Sequence, residues 1–152
     1  MIALERATPH AAHWTEEQYR ALFSAVKREW QQFVLVAEGT LDRASTEGHS
    51  AEIRLGFLAA RCVDPEWELE NIVVAASARR MGVGRRLLDA LLAEAAKTNN
   101  AAVFLEVRES NAAARSLYEK AGFQKAGRRN SYYKEPPENA ILYRFARTKQ
   151  FS

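Results

Sequence analysis

The sequence predicts an α/β fold in which helices pack against one sheet. Two observations carry that prediction. The segments run strand, helix, three strands, helix, strand, helix, two strands. The chain of 152 residues has the size of one domain, and no repeat, low-complexity tract or linker divides it. Residues 1–152 are therefore expected to form a single domain. A content of 47% hydrophobic and 27% charged residues suits a globular core rather than disorder.

The elements follow in order. Residues 2–6 read as a short first strand closed by Thr8-Pro9. Thr15-Glu16-Glu17-Gln18 offers an N-cap with Gln at the capping-box position. Tyr19, Leu22, Phe23 and Val26 then recur at spacings of three and four, which marks one buried helical face. Residues 33–37 are β-branched and apolar, a buried strand. Residues 38–51, with Gly39, Asp42, Ser45, Gly48 and Ser50, are polar and turn-rich and read as a long, mobile hairpin connection. Two strands follow at 53–63 and 67–75, split by the turn signal Asp64-Pro65.

After Arg79 the period becomes helical, with Val83, Leu87, Leu88, Leu91, Leu92 and Ala95 on one side, and Asn99-Asn100 end that helix. Residues 102–107 form a near-continuous apolar strand. Asn111 caps a helix over 112–121, and Gly122 supplies the left-handed residue that stops it. The last strands are 124–133 and 140–146, joined around Pro136-Pro137.

Composition excludes several classes. Lys and Arg number 22 against 19 Asp and Glu, a net +3; this is too mild to argue for nucleic acid but suits an anionic small molecule. The lone Cys62 cannot form an internal disulfide and reads as buried filler in a reducing compartment. His10, His13 and His49 lack any spacing that would cage a metal, so no metal is expected. No apolar run reaches the roughly 18 residues a membrane span needs, and the start lacks the order of a signal peptide. A cytoplasmic protein is the expectation.

Chemistry concentrates after the strand bearing Ile72-Val73-Val74. It leads into Arg79-Arg80-Met81-Gly82-Val83-Gly84-Arg85-Arg86, where a helix begins. A helix start carries unpaired N–H groups and partial positive charge, so it can hold phosphate. Glycines let the backbone approach closely, and the arginines add charge. The alternative is a plain turn with solvated arginines. No Gly-Lys-Ser/Thr ending follows, and Leu87 stands where a Rossmann turn needs Gly or Ala.

Arg79-Arg80-Met81-Gly82-Val83-Gly84 resembles the Arg/Gln-x-x-Gly-x-Gly/Ala signature of the GNAT N-acetyltransferases. Leu105-Glu106-Val107-Arg108, Asn111, Ala114, Leu117-Tyr118-Glu119 and Gly122-Phe123 are similar to the later acetyl-CoA motif of that superfamily. With Arg128-Arg129-Asn130 and Tyr132-Tyr133, the pattern is similar to the bacterial ribosomal-protein-alanine N-acetyltransferases. The resemblance covers residues 67–146. It departs at Ala75-Ala76, where family members often carry Pro, and residues 1–60 show no motif.

The resemblance implies a GNAT fold: a central mixed, mostly antiparallel sheet of about seven strands, splayed in the middle, with helices on both faces. It implies acetyl-CoA as donor, gripped by Gly82, Val83 and Gly84 with Arg79, Arg80, Met81 and Arg85 nearby, Ile72-Val73-Val74 along the arm, and Asn111 bonding the pantetheine. Glu106 would be the base and Tyr118 the acid. Glu106 could instead pair with an arginine at a strand end, and Tyr118 could be a packed aromatic. Glu70 is the rival base, since plain alternation puts it on the same face as Ile72 and Val74. Tyr132 and Tyr133 would wall the acceptor groove or merely stabilise a hairpin. The expected acceptor is a protein N-terminal amine. The alternatives are a small amine (polyamine, amino acid or antibiotic) and a non-catalytic coenzyme-A-binding module. Either a monomer or a homodimer suits the sequence.

Overall fold

The computed structural model of the chain describes residues 1–8, 12, 14–24, 30–41, 51–63, 65–98 and 101–146. Among these residues six strands are present: β1 Gln31–Leu41, β2 Ala51–Val63, β3 Glu66–Val74, β4 Ala102–Arg108, β5 Gln124–Lys134 and β6 Pro137–Ala146. They form one sheet in the order β1-β2-β3-β4-β6-β5. All neighbours are antiparallel except β3 and β4, which run parallel. Among the described residues the α-helices are α1 Ile2–Arg6, α2 Glu16–Leu22, α3 Val83–Ala95 and α4 Ala112–Lys120, with a short 3-10 turn at Ala76–Ala78.

Alternation along the strands sends side chains to two faces. Leu58 and Ala60 of β2, Leu105 and Val107 of β4, and Ile141 and Tyr143 of β6 join Leu87, Leu88 and Leu91 of α3 and Tyr118 of α4 in the larger core. The spacing of three and four in α3 is what lets one helix side fill this layer. On the opposite face Phe57 and Val73 pack with Tyr19 of α2, and Ile2 and Leu4 of α1 lie against them. Helices thus cover both faces.

Several sequence expectations are corrected. Residues 2–6 are a helix, not a strand, and among the described residues the sheet has six strands, close to the expected seven. The run Ile-Ala-Leu-Glu-Arg is short enough for either period, and Ala, Leu, Glu and Arg favour the helix; Glu5 N–H donates to the Met1 carbonyl at 3.0 Å. Phe23 is 69% exposed because α2 ends at Leu22, whereas the Thr15–Gln18 capping box forms as read. The proposed connection over 38–51 begins later, since β1 runs to Leu41 and β2 starts at Ala51. Val26, the residues between Leu41 and Ala51, Asp64, Asn99-Asn100, Pro9 and the three histidines lie outside the described residues. Cys62 is buried. Among the described residues, no helix is long and apolar enough to cross a membrane.

Candidate active site

The site begins with a fault in the sheet. Between β2 and β3, Ala59 pairs with Asn71 while Ala60 pairs with Leu69, so Glu70 is an extra residue without a partner. Such a bulge bends and twists its strand. Between β3 and β4 the pairing runs from Glu66↔Ala102 only as far as Leu69↔Leu105. The parallel strands therefore part at the bulge. Beyond it, one edge of β3 has no strand to bond among the described residues, and its main-chain groups need another partner.

The bulge also overturns the simple alternation. Trp67 and Leu69 enter the larger core, and so do Ile72 and Val74 in part, although their positions differ in parity. Glu70 and Asn71 turn to the other face. Gln32 Nε2 donates to Glu70 Oε2 at 3.0 Å, and Arg61 Nε lies 3.7 Å from Glu70 Oε1. Glu70 therefore does not share a face with Ile72 and Val74.

A cleft of about 550 Å³ occupies the parting of the strands. Glu70 and Ile72 of β3, Glu106 and Arg108 of β4, Asn111 and Tyr118 of α4, and Tyr132 and Tyr133 of β5 all line it. Leu105 and Val107 belong to the larger core, so Glu106 faces the opposite side of the sheet from Tyr118. The cleft brings both to one volume. Arg129 Nε forms an ion pair with Glu106 Oε1 at 3.0 Å, and the Tyr132 hydroxyl bonds the same carboxylate, which pushes the tyrosine pKa up to about 12. Burial pushes the Tyr118 hydroxyl well above the usual tyrosine value, with Tyr133 adding to it. Tyr118 is thus both the packed aromatic, against Phe123 and Tyr143, and a proton-bearing group at the cleft.

Beside the cleft, α3 starts at Gly82, whose φ of +77° suits glycine. A Cβ there would meet nothing within 4 Å, so the loop faces open space. The first intrahelical bond is Arg86 N–H to the Gly82 carbonyl. The amides of Val83, Gly84 and Arg85 thus lack helical partners and suit an anion. Val83 sends its side chain into the core, and Gly84 packs where a Cβ would lie 3.2 Å from Leu117 and 3.5 Å from Val74. Arg79, Arg80 and Met81 are exposed on the loop before the helix. Arg85 is engaged elsewhere: it donates to Asp89 at 2.8 Å and to the Lys120 carbonyl at 3.0 Å. Val73 is buried in the smaller core, which leaves Ile72 and Val74 nearer this side. Asn111 accepts from Ala114 N–H at 3.1 Å as the cap of α4.

Sequence reasoning missed two sets of residues. The first holds the aromatic hairpin. Arg128 donates to Glu109 through Nε at 3.1 Å and Nη2 at 2.8 Å, and Asn139 Nδ2 donates at 2.9 Å. These bonds, the Arg128 pair first, pull the Glu109 carboxyl down to about 2. Arg108 stacks 4.0 Å over the Tyr133 ring while donating to the Glu135 and Pro136 carbonyls. Tyr132 and Tyr133 meet edge to face at 5.1 Å. The charges of Arg128 and Glu109 were visible in sequence, but their pairing was not.

The second set lies in the motif-free N-terminal part. Trp14, Gln18, Leu22, Trp30 and Gln32 line the far wall of the cleft. Behind them Glu5 is 1% exposed. It accepts from Asn71 Nδ2 at 2.7 Å and from Trp14 N–H at 3.0 Å. Asn71 adjoins the bulge, so this carboxylate ties α1 and the Trp14 wall to the fault in β3.

The acetyltransferase (GNAT) family matches residues 3–123. A ribosomal protein bS18-alanine N-acetyltransferase of Escherichia coli strain K12 is 46% identical over 88 residues, 57% of this chain and 60% of its own. The N-alpha-acetyltransferase RimI of Mycobacterium tuberculosis is 38% identical over 97 residues, 64% of this chain and 57% of its own. The chain thus spans about 60% of the length of the curated relatives it matches. The crystal structure of the E. coli ribosomal-protein-S18-alanine N-acetyltransferase aligns with a TM-score of 0.68 at 29% identity, covering 99% of this chain and 90% of that one. Arabidopsis thaliana Naa50, in complex with a bisubstrate analogue, shares the fold at a TM-score of 0.67 and 19% identity, covering 95% and 88%.

Proposed function

Because the chain belongs to the GNAT acetyltransferase family, we propose that it transfers the acetyl group of acetyl-CoA to a protein N-terminal α-amine, by direct attack in a ternary complex. One observation carries the mechanism: the cleft at the parting of β3 and β4 is lined by Glu106 from one face of the sheet and by Tyr118 from the other. An acceptor approaching Glu106 and a donor approaching Tyr118 would meet there. The relatives named for ribosomal-protein alanine support the choice of acceptor.

When bound, acetyl-CoA supplies an activated acetyl thioester. The amides of Val83 and Gly84 are suited to its diphosphate, and the open space at Gly82 fits that use. An α-amine is partly protonated at neutral pH and must lose a proton to attack. Glu106 takes that proton, directly or through one water. As the N–C bond forms and the C–S bond breaks, a main-chain N–H near Val74 donates toward the oxygen where charge develops. Tyr118, kept protonated by burial, gives its proton to the departing sulfur. Tyr132 and Tyr133 wall the acceptor groove, and Tyr132 and Arg129 orient Glu106. Residues 1–152 act as one domain on this reading.

Glu70 supports a second acceptor class. With Glu68 and Glu106 it adds a third carboxylate to the cleft, a setting that would favour a small polyamine. Coenzyme A release, measured across short peptides and free amines, separates the two. Turnover of alanine-initiated peptides well above that of diamines is the expected result; diamine turnover alone would overturn the peptide reading. Calorimetry with coenzyme A tests the shared premise, and absence of binding would refute both.

A further inference from the structure

Among the described residues, α1 and α2 cover their face of the sheet around Phe57 and Val73. Further along the same face lies a second hollow of about 340 Å³. The strand register builds its floor. Arg61 stands beside Glu68, Glu68 beside Phe104, and Phe104 beside Arg144. Two residues along β4, Glu106 stands beside Leu142. Phe104 and Leu142 are half-buried and join neither core, and Val63 at the edge is 53% exposed. Of the charges around it, Arg61 pairs with Glu68 and Arg129 with Glu106, Glu66 stands at the rim, and the Arg144 guanidinium lies 5.7 Å over the Phe104 ring. The result is an apolar floor of Phe104 and Leu142 inside a rim that carries both signs of charge.

Glu68 and Glu106 line both this hollow and the cleft, so the two are continuous at the carboxylate assigned as base. Resting on the acceptor reading above, we propose that this groove holds the second or third residue of the acceptor peptide, with an apolar side chain seated between Phe104 and Leu142. The reach agrees. Leu142 is one strand spacing from Glu106, about 5 Å, and Phe104 is two residues down the strand, about 7 Å. An extended peptide covers that span in roughly two residues. Selectivity beyond the terminal residue would therefore come from burial of an apolar side chain, not from charge.

Gly127 allows the groove to be filled without hollowing the protein. It stands beside Leu142 in the register, and a Cβ there would meet only Leu142 atoms at 4.0 Å. The experiment compares alanine-initiated tetrapeptide amides bearing Leu or Ser at the second and third positions, in the wild type and in Gly127→Leu. Leu is expected to raise kcat/KM roughly tenfold, mainly through KM. Gly127→Leu should erase that preference while turnover of an Ala-Ser dipeptide amide, which shows the variant folded, stays within about twofold. Equal kcat/KM for Leu and Ser peptides in the wild type overturns the groove but leaves the peptide reading intact. Failure to acetylate any peptide, with free amines accepted, overturns both. A change in sedimentation with Gly127→Leu and no change in peptide preference would assign the face to a second copy and refute the proposal.

Discussion

The two faces of the sheet meet at one cleft, yet they are built differently. The face under α3 and α4 is an apolar layer, and what it offers a ligand is main chain: the amides at the start of α3 and the unpaired edge of β3 beyond Leu69. The opposite face presents side chains. Gln32 bonds Glu70 and Arg129 pairs with Glu106 there, and a buried carboxylate holds α1 against the sheet. Main-chain recognition constrains residue type only where a glycine is needed, so many sequences can share a donor. Side-chain recognition changes with each substitution, so acceptor choice can diverge on a constant scaffold.

That contrast can be broken most directly at the base. Glu106→Gln should lower kcat by about 100-fold or more with acetyl-CoA affinity unchanged, whereas Glu70→Gln should cost less than about tenfold. The reverse order, seen in pH–rate profiles of both variants, would move the chemistry to β3. Gly82→Val attacks the other face. A β-branched residue at φ +77° is strained by about 1–2 kcal/mol, and misaimed amides should weaken acetyl-CoA binding about tenfold; calorimetry giving an unchanged affinity would remove the helix start from the donor site.

Smaller effects sharpen the contrast. Glu5→Ala leaves the Asn71 amide and Trp14 N–H without an acceptor, which costs about 2 kcal/mol and lowers Tm by roughly 5 °C. Acetyl-CoA affinity should be unaffected, and a variant as stable as the wild type would deny the carboxylate its structural role. Glu109→Gln should act least. Because the folded carboxyl titrates near 2, below its unfolded value, its contribution is present above about pH 4.5 and is lost as pH falls toward 2. The stability gap between wild type and variant, followed by thermal melts, should therefore close over that window; a gap that widened in acid would refute the assignment.

Much of the face under α3 and α4 was legible because local rules dictate its structure. Gly82 and Gly122 have positive φ, Asn111 caps its helix, and the apolar period of α3 points to the core. Each needs only a few neighbouring residues. The bulge was not legible, since Glu-Leu-Glu-Asn-Ile carries no glycine or proline to announce it; it exists only in the register with β2. For the same reason alternation misassigned the face of Glu70. Glu5 was missed because its partner Asn71 is 66 residues away, and α1 was read as a strand because five residues carry too little period to decide. Position alone did not show that Arg85 bonds Asp89 and the end of α4.

One unpaired residue in β3 has a topological consequence. An unbroken sheet is a partition, and reagents arriving on its two sides could never collide. The surplus at Glu70 opens a doorway in that partition, which on the proposed reaction would give each reagent its own entrance. Deleting this position would restore perfect pleating, and it would also seal the passage.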